Sequence, residues 1–309
     1  MSRRWNIQPV PKSKRTAAIR FVAGGRGGAF LSGKRTDAIS RMVEAHDPEK
    51  VTLRWARSWR KTLAAALILE SPGRTGMLFH SPADAPGVDP DALTELVRSA
   101  SEDVLSGGAS LVQALVGRNT GSDIPVLEQA GFQRLAELVY MRLSLGKIPA
   151  SPSVRKRRAE LTWKDATQID DALMGQVVAR TYEGSLDCPL LSGRREMSDV
   201  LAGHKSSGEF SPRTWWVPFR GEQPVGCILT NDFPSLRSSE VVYLGVLPEC
   251  RGTGIASAMV YHAAMAACER GRQYLTLAVD SSNVYAMEVY QKSGFIRVDV
   301  REAFVRLAT

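Results

Sequence analysis

The chain has 309 residues, of which 44% are hydrophobic and 23% charged, and its formal net charge is +8. This length suffices for about two domains with full cores, and the composition is ordinary for a soluble protein. No apolar run approaches the roughly eighteen residues that a membrane span needs, and the N-terminus has no apolar secretory segment. We therefore expect a cytoplasmic protein that does not enter a membrane.

The cysteines are widely spaced and form no C-x-x-C pair, so a zinc site and a disulfide framework are both disfavoured. We predict that the protein binds no metal. Buried inert thiols are the favoured interpretation, although a reactive thiol at Cys188 or Cys250 is the alternative. The four cysteines are Cys188, Cys227, Cys250 and Cys268.

Positive charge is concentrated at the start of the chain, where residues 1–60 contain fourteen Lys/Arg and four Asp/Glu. A solvated basic face, an anionic partner such as nucleic acid, and an Arg-rich transit segment would each explain it. We favour the basic face, because Ala17–Val22 has the pattern of a strand. A nucleic-acid-binding protein stays the alternative, but no aromatic-rich stacking motif accompanies the charge.

The first half of the chain alternates predicted strands and helices before it reaches a Pro/Ser-rich linker at residues 146–158. A helix is predicted to follow the linker at Asp165–Thr181. The predicted elements of the first half are strands Val51–Ala56, Thr62–Glu70, Thr75–His80, Ser110–Val116 and Leu138–Leu145, and helices Val88–Leu105 and Ser122–Gln129.

Two stretches of the first half align with stretches of the second. Residues 111–119 (LVQALVGRN) match 275–283 (LTLAVDSSN), and residues 127–143 match 290–307. The chain is therefore predicted to repeat one α/β fold with a period of roughly 163 residues. We expect an N-terminal domain at 1–145, the linker at 146–158 and a second domain at 159–309.

A predicted strand, Glu240–Leu247, leads through a glycine-containing loop into a helix that begins near Ile255. Small residues at such a junction let backbone N–H groups approach phosphate oxygens, and the positive end of the helix adds to the attraction. A tight turn without a ligand would explain the loop alone equally well. The features that follow the loop favour the phosphate-binding interpretation.

The loop meets the pattern Arg/Gln-x-x-Gly-x-Gly/Ala, and the segment after the helix carries four further features in order. Together they resemble the acetyl-CoA-binding core of the GCN5-related N-acetyltransferase (GNAT) superfamily. The resemblance implies two tandem GNAT folds, each a mixed, mostly antiparallel sheet flanked by helices. The matching features are Arg251, Gly254 and Ala256 in the loop, then the strand Tyr274–Val279, Asn283, Tyr290 and Gly294-Phe295.

The resemblance also implies an activity, in which acetyl passes from acetyl-CoA directly to an amine acceptor in a ternary complex. The acceptor would be a small-molecule amine, a protein N-terminus or a lysine. A non-catalytic acyl-CoA-binding or scaffolding protein is the alternative from another class. Binding of acetyl-CoA without turnover on any amine would favour that alternative.

The site residues that the resemblance implies fall into three groups. Tyr290 would protonate the leaving thiolate, and Glu240 is the favoured general base, with Glu183 and Asp187 as alternatives for the base and as substrate contacts. Asn283 would contact the cofactor or cap a helix. The implied cofactor-binding residues are Leu244, Gly245, Val246, Arg251, Gly252, Thr253, Gly254, Ile255, Ala256, Ser257 and Asn283.

The first repeat lacks the phosphate-binding features. Its counterpart of the glycine loop, residues 80–90 (HSPADAPGVDP), contains prolines and aspartates that remove N–H donors and repel phosphate. Leu127 stands where the second repeat has Tyr290. The N-terminal domain is therefore expected to be degenerate, with a structural role beside the substrate cleft.

Overall fold

A computed structural model describes residues 5–24, 31–59, 61–117, 121–191 and 193–308. The chain divides into two compact units: unit 1 comprises Met1–Leu135 and Glu302–Thr309, and unit 2 comprises Ala136–Arg301. This division differs from the boundary expected at residues 146–158. The strand that should close the first repeat lies mainly in unit 2, and the last residues of the chain lie in unit 1.

Unit 1 contains a sheet whose strands run in the order β1-β2-β3-β4-β5-β13. Strands β4 and β5 are parallel, and the pairs β1/β2, β2/β3 and β3/β4 are antiparallel. Its elements are β1 (Asn6–Pro9), α1 (Arg15–Gly24), α2 (Leu31–Ala45), β2 (Val51–Arg57), β3 (Thr62–Ser71), β4 (Thr75–His80), α3 (Pro90–Ser106), β5 (Leu111–Gly117), α4 (Asp123–Gln129) and the end of β13 (Ile296–Leu307).

Unit 2 contains a sheet with the order β13-β6-β12-β11-β10-β8-β7, and β9 pairs with β8. Strands β11 and β12 are parallel, whereas β12/β6, β10/β11 and β8/β10 are antiparallel. Its elements are β6 (Gln133–Ser144, from Ala136), α5 (Pro152–Ala159), β7 (Thr162–Asp165), α6 (Asp171–Thr181), α7 (Met197–Lys205), β8 (Trp215–Arg220), β9 (Gln223–Pro224), β10 (Gly226–Phe233), β11 (Ser238–Val246), α8 (Ile255–Glu269), β12 (Tyr274–Asp280), α9 (Val284–Lys292) and the start of β13.

The predicted repeat is confirmed by the element order. Three strands, a helix, a parallel strand and a second helix follow one another as β2-β3-β4-α3-β5-α4 in unit 1 and as β8-β10-β11-α8-β12-α9 in unit 2. Mixed, mostly antiparallel sheets flanked by helices are the fold that the sequence predicted.

The strand predicted at Ala17–Val22 is wrong, because these residues lie in helix α1. Ala18, Ile19, Val22 and Ala23 are its buried residues, and they recur with the period of a helix. Ile and Val favour strands, which made the segment resemble one. The helical period places the apolar side chains on one face, and that burial outweighs their β propensity.

The segment predicted as a Pro/Ser-rich linker, residues 146–158, contacts other parts of unit 2 near both of its ends. Gly294 has φ +90°, and a Cβ there would lie 2.6 Å from Cγ of Pro149. At the other end, Arg158 Nε donates to Nδ1 of His262 at 3.2 Å, and Trp163 Nε1 donates to the carbonyl oxygen of Arg158 at 3.1 Å. Helix α5 lies between these contacts.

Candidate functional site

Strands β11 and β12 separate after a short region of pairing. They pair only from Ser238–Glu240 to Tyr274–Thr276, whereas β11 stays paired with β10 up to Val246. The N–H of Leu247 donates to the carbonyl oxygen of Val225 at 3.1 Å, on the side of β10. Because peptide groups alternate along a strand, those of Leu244 and Val246 point away from β10, toward the gap.

The gap opens into a cleft of about 640 Å³ within unit 2. Most residues predicted for the site line this cleft, but Thr253, Glu183 and Glu240 are not among its lining residues. The predicted residues that the cleft brings together are Leu244, Gly245, Val246, Arg251, Gly252, Gly254, Ile255, Ala256, Ser257, Asn283, Asp187 and Tyr290. Sequence reasoning missed Leu186, Tyr285, Glu288 and Lys292, which also line it.

The glycine loop has backbone conformations that favour glycine. Gly252 and Gly254 have φ angles of 73° and 81°, and nothing lies within 4 Å of a Cβ built at either position. The space in front of the loop is therefore open. Gly254 is the N-cap of α8 and provides no side-chain cap, so the first N–H groups of this helix are left for another partner.

Arg251, which we expected to contact the cofactor, uses its side chain within the protein. Its Nη2 donates to the carbonyl oxygens of Glu183 at 2.7 Å and Thr181 at 3.1 Å, and its Nη1 donates to that of Gly184 at 3.3 Å. Its Nε donates to the carbonyl oxygen of Val246 at 3.2 Å. The guanidinium thus stabilises the end of α6, where a cation is favourable.

Gly245 allows α6 to pack closely on β11, because a Cβ at this position would overlap the side chain of Thr181. Thr181 Oγ1 also lies 2.6 Å from the hydroxyl oxygen of Tyr243. The register of β11 against β10 shifts between Leu229 and Thr230, which leaves Val242 as the extra residue of a bulge. The bulge therefore lies four residues before Val246.

Tyr290 lies on α9 and is 7% exposed. Burial raises the pKa of its phenol above the ordinary value, and the nearby Asp187 carboxylate adds to this rise. The hydroxyl therefore stays protonated at neutral pH, as a proton donor must. Its ring centroid lies 5.6 Å from that of Phe295, which helps to explain the Tyr and Gly-Phe spacing seen in the sequence.

The candidate bases differ in position. Glu240 is the third residue of β11, and burial raises its pKa. It does not line the cleft. Asp187 does line the cleft, and its pKa is raised by burial and then by the negative charge of Asp280. Glu183 contributes its backbone carbonyl to Arg251.

Asp280 is a buried carboxylate for which the sequence predicted no role. It accepts hydrogen bonds from the N–H and the hydroxyl of Ser282 at 2.9 and 2.8 Å, and from the N–H of Cys188 at 3.4 Å. Next to it, Oδ1 of Asn283 accepts from the N–H of Ala286 at 3.2 Å, so the helix-cap alternative for Asn283 is confirmed. Its amide NH₂ and the second lone pair of Oδ1 are left for a cofactor contact.

Two cysteines and two histidines of unit 2 are held in uncharged forms by burial. Burial raises the pKa of Cys188 and of Cys227 to about 12, so both thiols are poor nucleophiles at neutral pH. Burial lowers the pKa of His204 to about 4 and that of His262 to about 3. Within the described part of the chain, no cluster of three or more His, Cys, Asp or Glu residues would hold a metal ion.

Comparisons with known proteins agree with this geometry. Residues 179–295 match the model of the acetyltransferase (GNAT) family. A mycothiol acetyltransferase of Streptomyces scabiei is 30% identical over 96 residues, which are 31% of each chain. A second, from Streptomyces griseus subsp. griseus, is 31% identical over 104 residues, 32% of this chain and 33% of that one. The aligned part thus spans only about a third of these relatives.

Solved structures extend the likeness of fold to the whole chain. A GCN5-related N-acetyltransferase from Sphaerobacter thermophilus superposes with a TM-score of 0.66 at 16% identity, covering 100% of this chain and 97% of that one. A tandem GNAT protein from the clavulanic acid biosynthesis pathway gives 0.51 at 13% identity, covering 99% of both chains.

The chain thus contains two repeats of one α/β fold, and the cleft lies in unit 2. Residues 179–295, in the second repeat, are similar to the acetyltransferase (GNAT) family, and the chain as a whole has the tandem GNAT fold. None of the helices described in the structure is long and apolar enough to cross a membrane.

Proposed function

We propose that the protein is an acetyl-CoA-dependent N-acetyltransferase whose active site is the cleft of unit 2. The observation that carries this proposal is the separation of β11 from β12 directly before the open glycine loop. It leaves an unpaired strand edge beside uncapped helix N–H groups, and this arrangement suits a long ligand that has amides at one end and phosphates at the other.

Each part of the ligand has a matching surface in the cleft. The N–H groups at Gly252–Ser257 and the start of α8 would bind the pyrophosphate. The N–H and the carbonyl oxygen of Leu244 would pair with the amides of the pantetheine arm as an added strand does. A backbone N–H at Val246 would stabilise the oxyanion that develops on the acetyl carbon.

Proton transfer needs two side chains. An alkylammonium has a pKa of about 10.4, so the acceptor amine must lose a proton before it attacks the thioester carbon. Glu240 is our proposed base, directly or through water, and Asp187 is the alternative inside the cleft. As the carbon–sulfur bond breaks, the thiolate takes the hydroxyl proton of Tyr290.

Unit 1 has a different role in this proposal, because the helix that corresponds to α8 is already capped. The carboxylate of Asp89 accepts from the N–H of Ala92 at 3.0 Å at the start of α3, and Pro90 removes a further donor. A negative charge at this position repels phosphate. We therefore assign one acetyl-CoA site to each chain and a structural role to unit 1.

An assay of thiol release tests the proposed activity. The protein is incubated with acetyl-CoA and a panel of small-molecule amines, peptides with free N-termini and lysine peptides, and free CoA is measured. We expect release above the hydrolytic background with at least one acceptor class. Binding of acetyl-CoA without release on any amine would instead support a non-catalytic acyl-CoA-binding protein.

A further inference from the structure

A second cavity of about 660 Å³ opens on the outer side of α8 in unit 2. Its walls come from the segment 147–155, from one face of α8 and from the end of α9. Ser257 and Lys292 line both this cavity and the cleft described above. We call it the linker cavity; it adjoins the cleft at the phosphate-binding end.

All charged side chains among the described residues that line the linker cavity are positive. Lys147, Arg155 and Lys292 line it, and no Asp or Glu does. In the described part of the chain, neither Lys147 nor Arg155 has a carboxylate partner. Lys292 is paired with the exposed Glu288 at 2.5 Å. Two unpaired cations on one cavity wall favour an anionic ligand.

The cavity also offers surface to an aromatic ring. Tyr261 and Val154 line it beside the cations, and Ile148 adds a further partly buried apolar side chain. The wall that carries Lys147 and Arg155 is fixed, because Pro149 packs against Gly294 and Arg158 is bonded to His262. The cations are therefore held beside α8 and do not lie on a loose tether.

We propose that the linker cavity binds the 3′-phosphorylated adenosine of coenzyme A, with Lys147 and Arg155 contacting the 3′-phosphate. This inference rests on the proposed function. With the pyrophosphate of coenzyme A bound at the glycine loop, the attached adenosine would extend past Ser257 and Lys292 into the linker cavity. The basic segment between the repeats thus serves recognition of the cofactor.

Titration calorimetry at low salt tests the proposal with acetyl-CoA and 3′-dephospho-acetyl-CoA as probes. Wild type should bind acetyl-CoA about tenfold more tightly than 3′-dephospho-acetyl-CoA. Each charge-assisted contact to the 3′-phosphate adds to the binding free energy, and only acetyl-CoA can make these contacts. The double variant Lys147→Ala/Arg155→Ala should bind both probes within about twofold of one another. The control Arg213→Ala/Arg220→Ala removes two charges from exposed positions outside both cavities and should keep the wild-type preference.

The outcomes separate this inference from the proposed function. Equal affinity of wild type for the two probes would overturn the role of the linker cavity while leaving acetyl-CoA binding intact. A double variant that keeps the preference would also overturn it, because the 3′-phosphate would then be recognised elsewhere. No binding of either probe by wild type would refute the proposed function and this inference with it.

Discussion

Tyr290→Phe should lower turnover at least about tenfold while leaving the Kd for acetyl-CoA nearly unchanged. The substitution removes only the hydroxyl, so the packing of the ring against Phe295 is preserved. What is lost is the proton that the leaving thiolate receives. Because the pKa of Tyr290 is raised by burial, the wild-type rate should not fall from its ionisation until above pH ~10.

The matched control for this variant is Tyr274→Phe, which removes a hydroxyl from β12 outside the cleft. Both variants are compared with wild type by steady-state kinetics with the best acceptor and by acetyl-CoA titration. Unchanged turnover of Tyr290→Phe would remove this residue from the acid role. Equal losses in both variants would point to a general effect on the fold.

Glu240→Gln should lower kcat/KM about a hundredfold, because a positioned general base typically contributes 10²- to 10⁴-fold. Only the ionised carboxylate accepts the proton, so activity falls as the pH drops through the pKa of the base. Burial raises the pKa values of both Glu240 and Asp187. The acid limb of kcat/KM should therefore lie above the ordinary carboxyl pKa of about 4.

Asp187→Asn distinguishes the two candidate bases, and Glu222→Gln at an exposed turn serves as the control. The substitution at the true base should abolish the acid limb together with most of the activity. If Glu240→Gln keeps both the wild-type kcat/KM and the acid limb of its pH profile while Asp187→Asn loses them, Asp187 is the base. Asp187 lines the cleft, whereas Glu240 does not.

The periodicity and the motifs of the second repeat predicted most of the fold. The glycines at 252 and 254 indicated a loop, and the apolar residues before them indicated a strand. Both are local features of the backbone, which a sequence pattern can predict. The α1 segment was predicted as a strand because Ile19 and Val22 favour strands, and only the burial of one helical face overrides that preference. That most of β6 belongs to unit 2 and the end of β13 to unit 1 depends on contacts between residues far apart in the chain, which no local pattern reports.

The site was predicted less completely than the fold, for the same reason. The motif places Arg251 in the loop, but its side chain reaches carbonyl oxygens at Thr181, Glu183 and Gly184, about seventy residues earlier. Asp280 was not predicted for the site, because its position near Asp187 depends on how β12 and the segment after α6 lie in space. Local spacing identified the cleft, and tertiary contacts decided which side chains face it.

Acetyl-CoA titration of wild type beside Gly254→Glu tests the central claim, that the cleft of unit 2 is the acetyl-CoA site of the chain. Gly254 has φ 81°, so glutamate would be strained and would place a carboxylate before the phosphates. Gly87→Glu is the matched control, since Gly87 has φ 85° in the corresponding segment of unit 1 and a Cβ there also meets nothing within 4 Å.

We predict one acetyl-CoA per wild-type chain, an affinity at least about a hundredfold lower for Gly254→Glu, and wild-type binding by Gly87→Glu. Two acetyl-CoA molecules per chain, or a Gly254→Glu variant that binds as wild type does, would contradict the account.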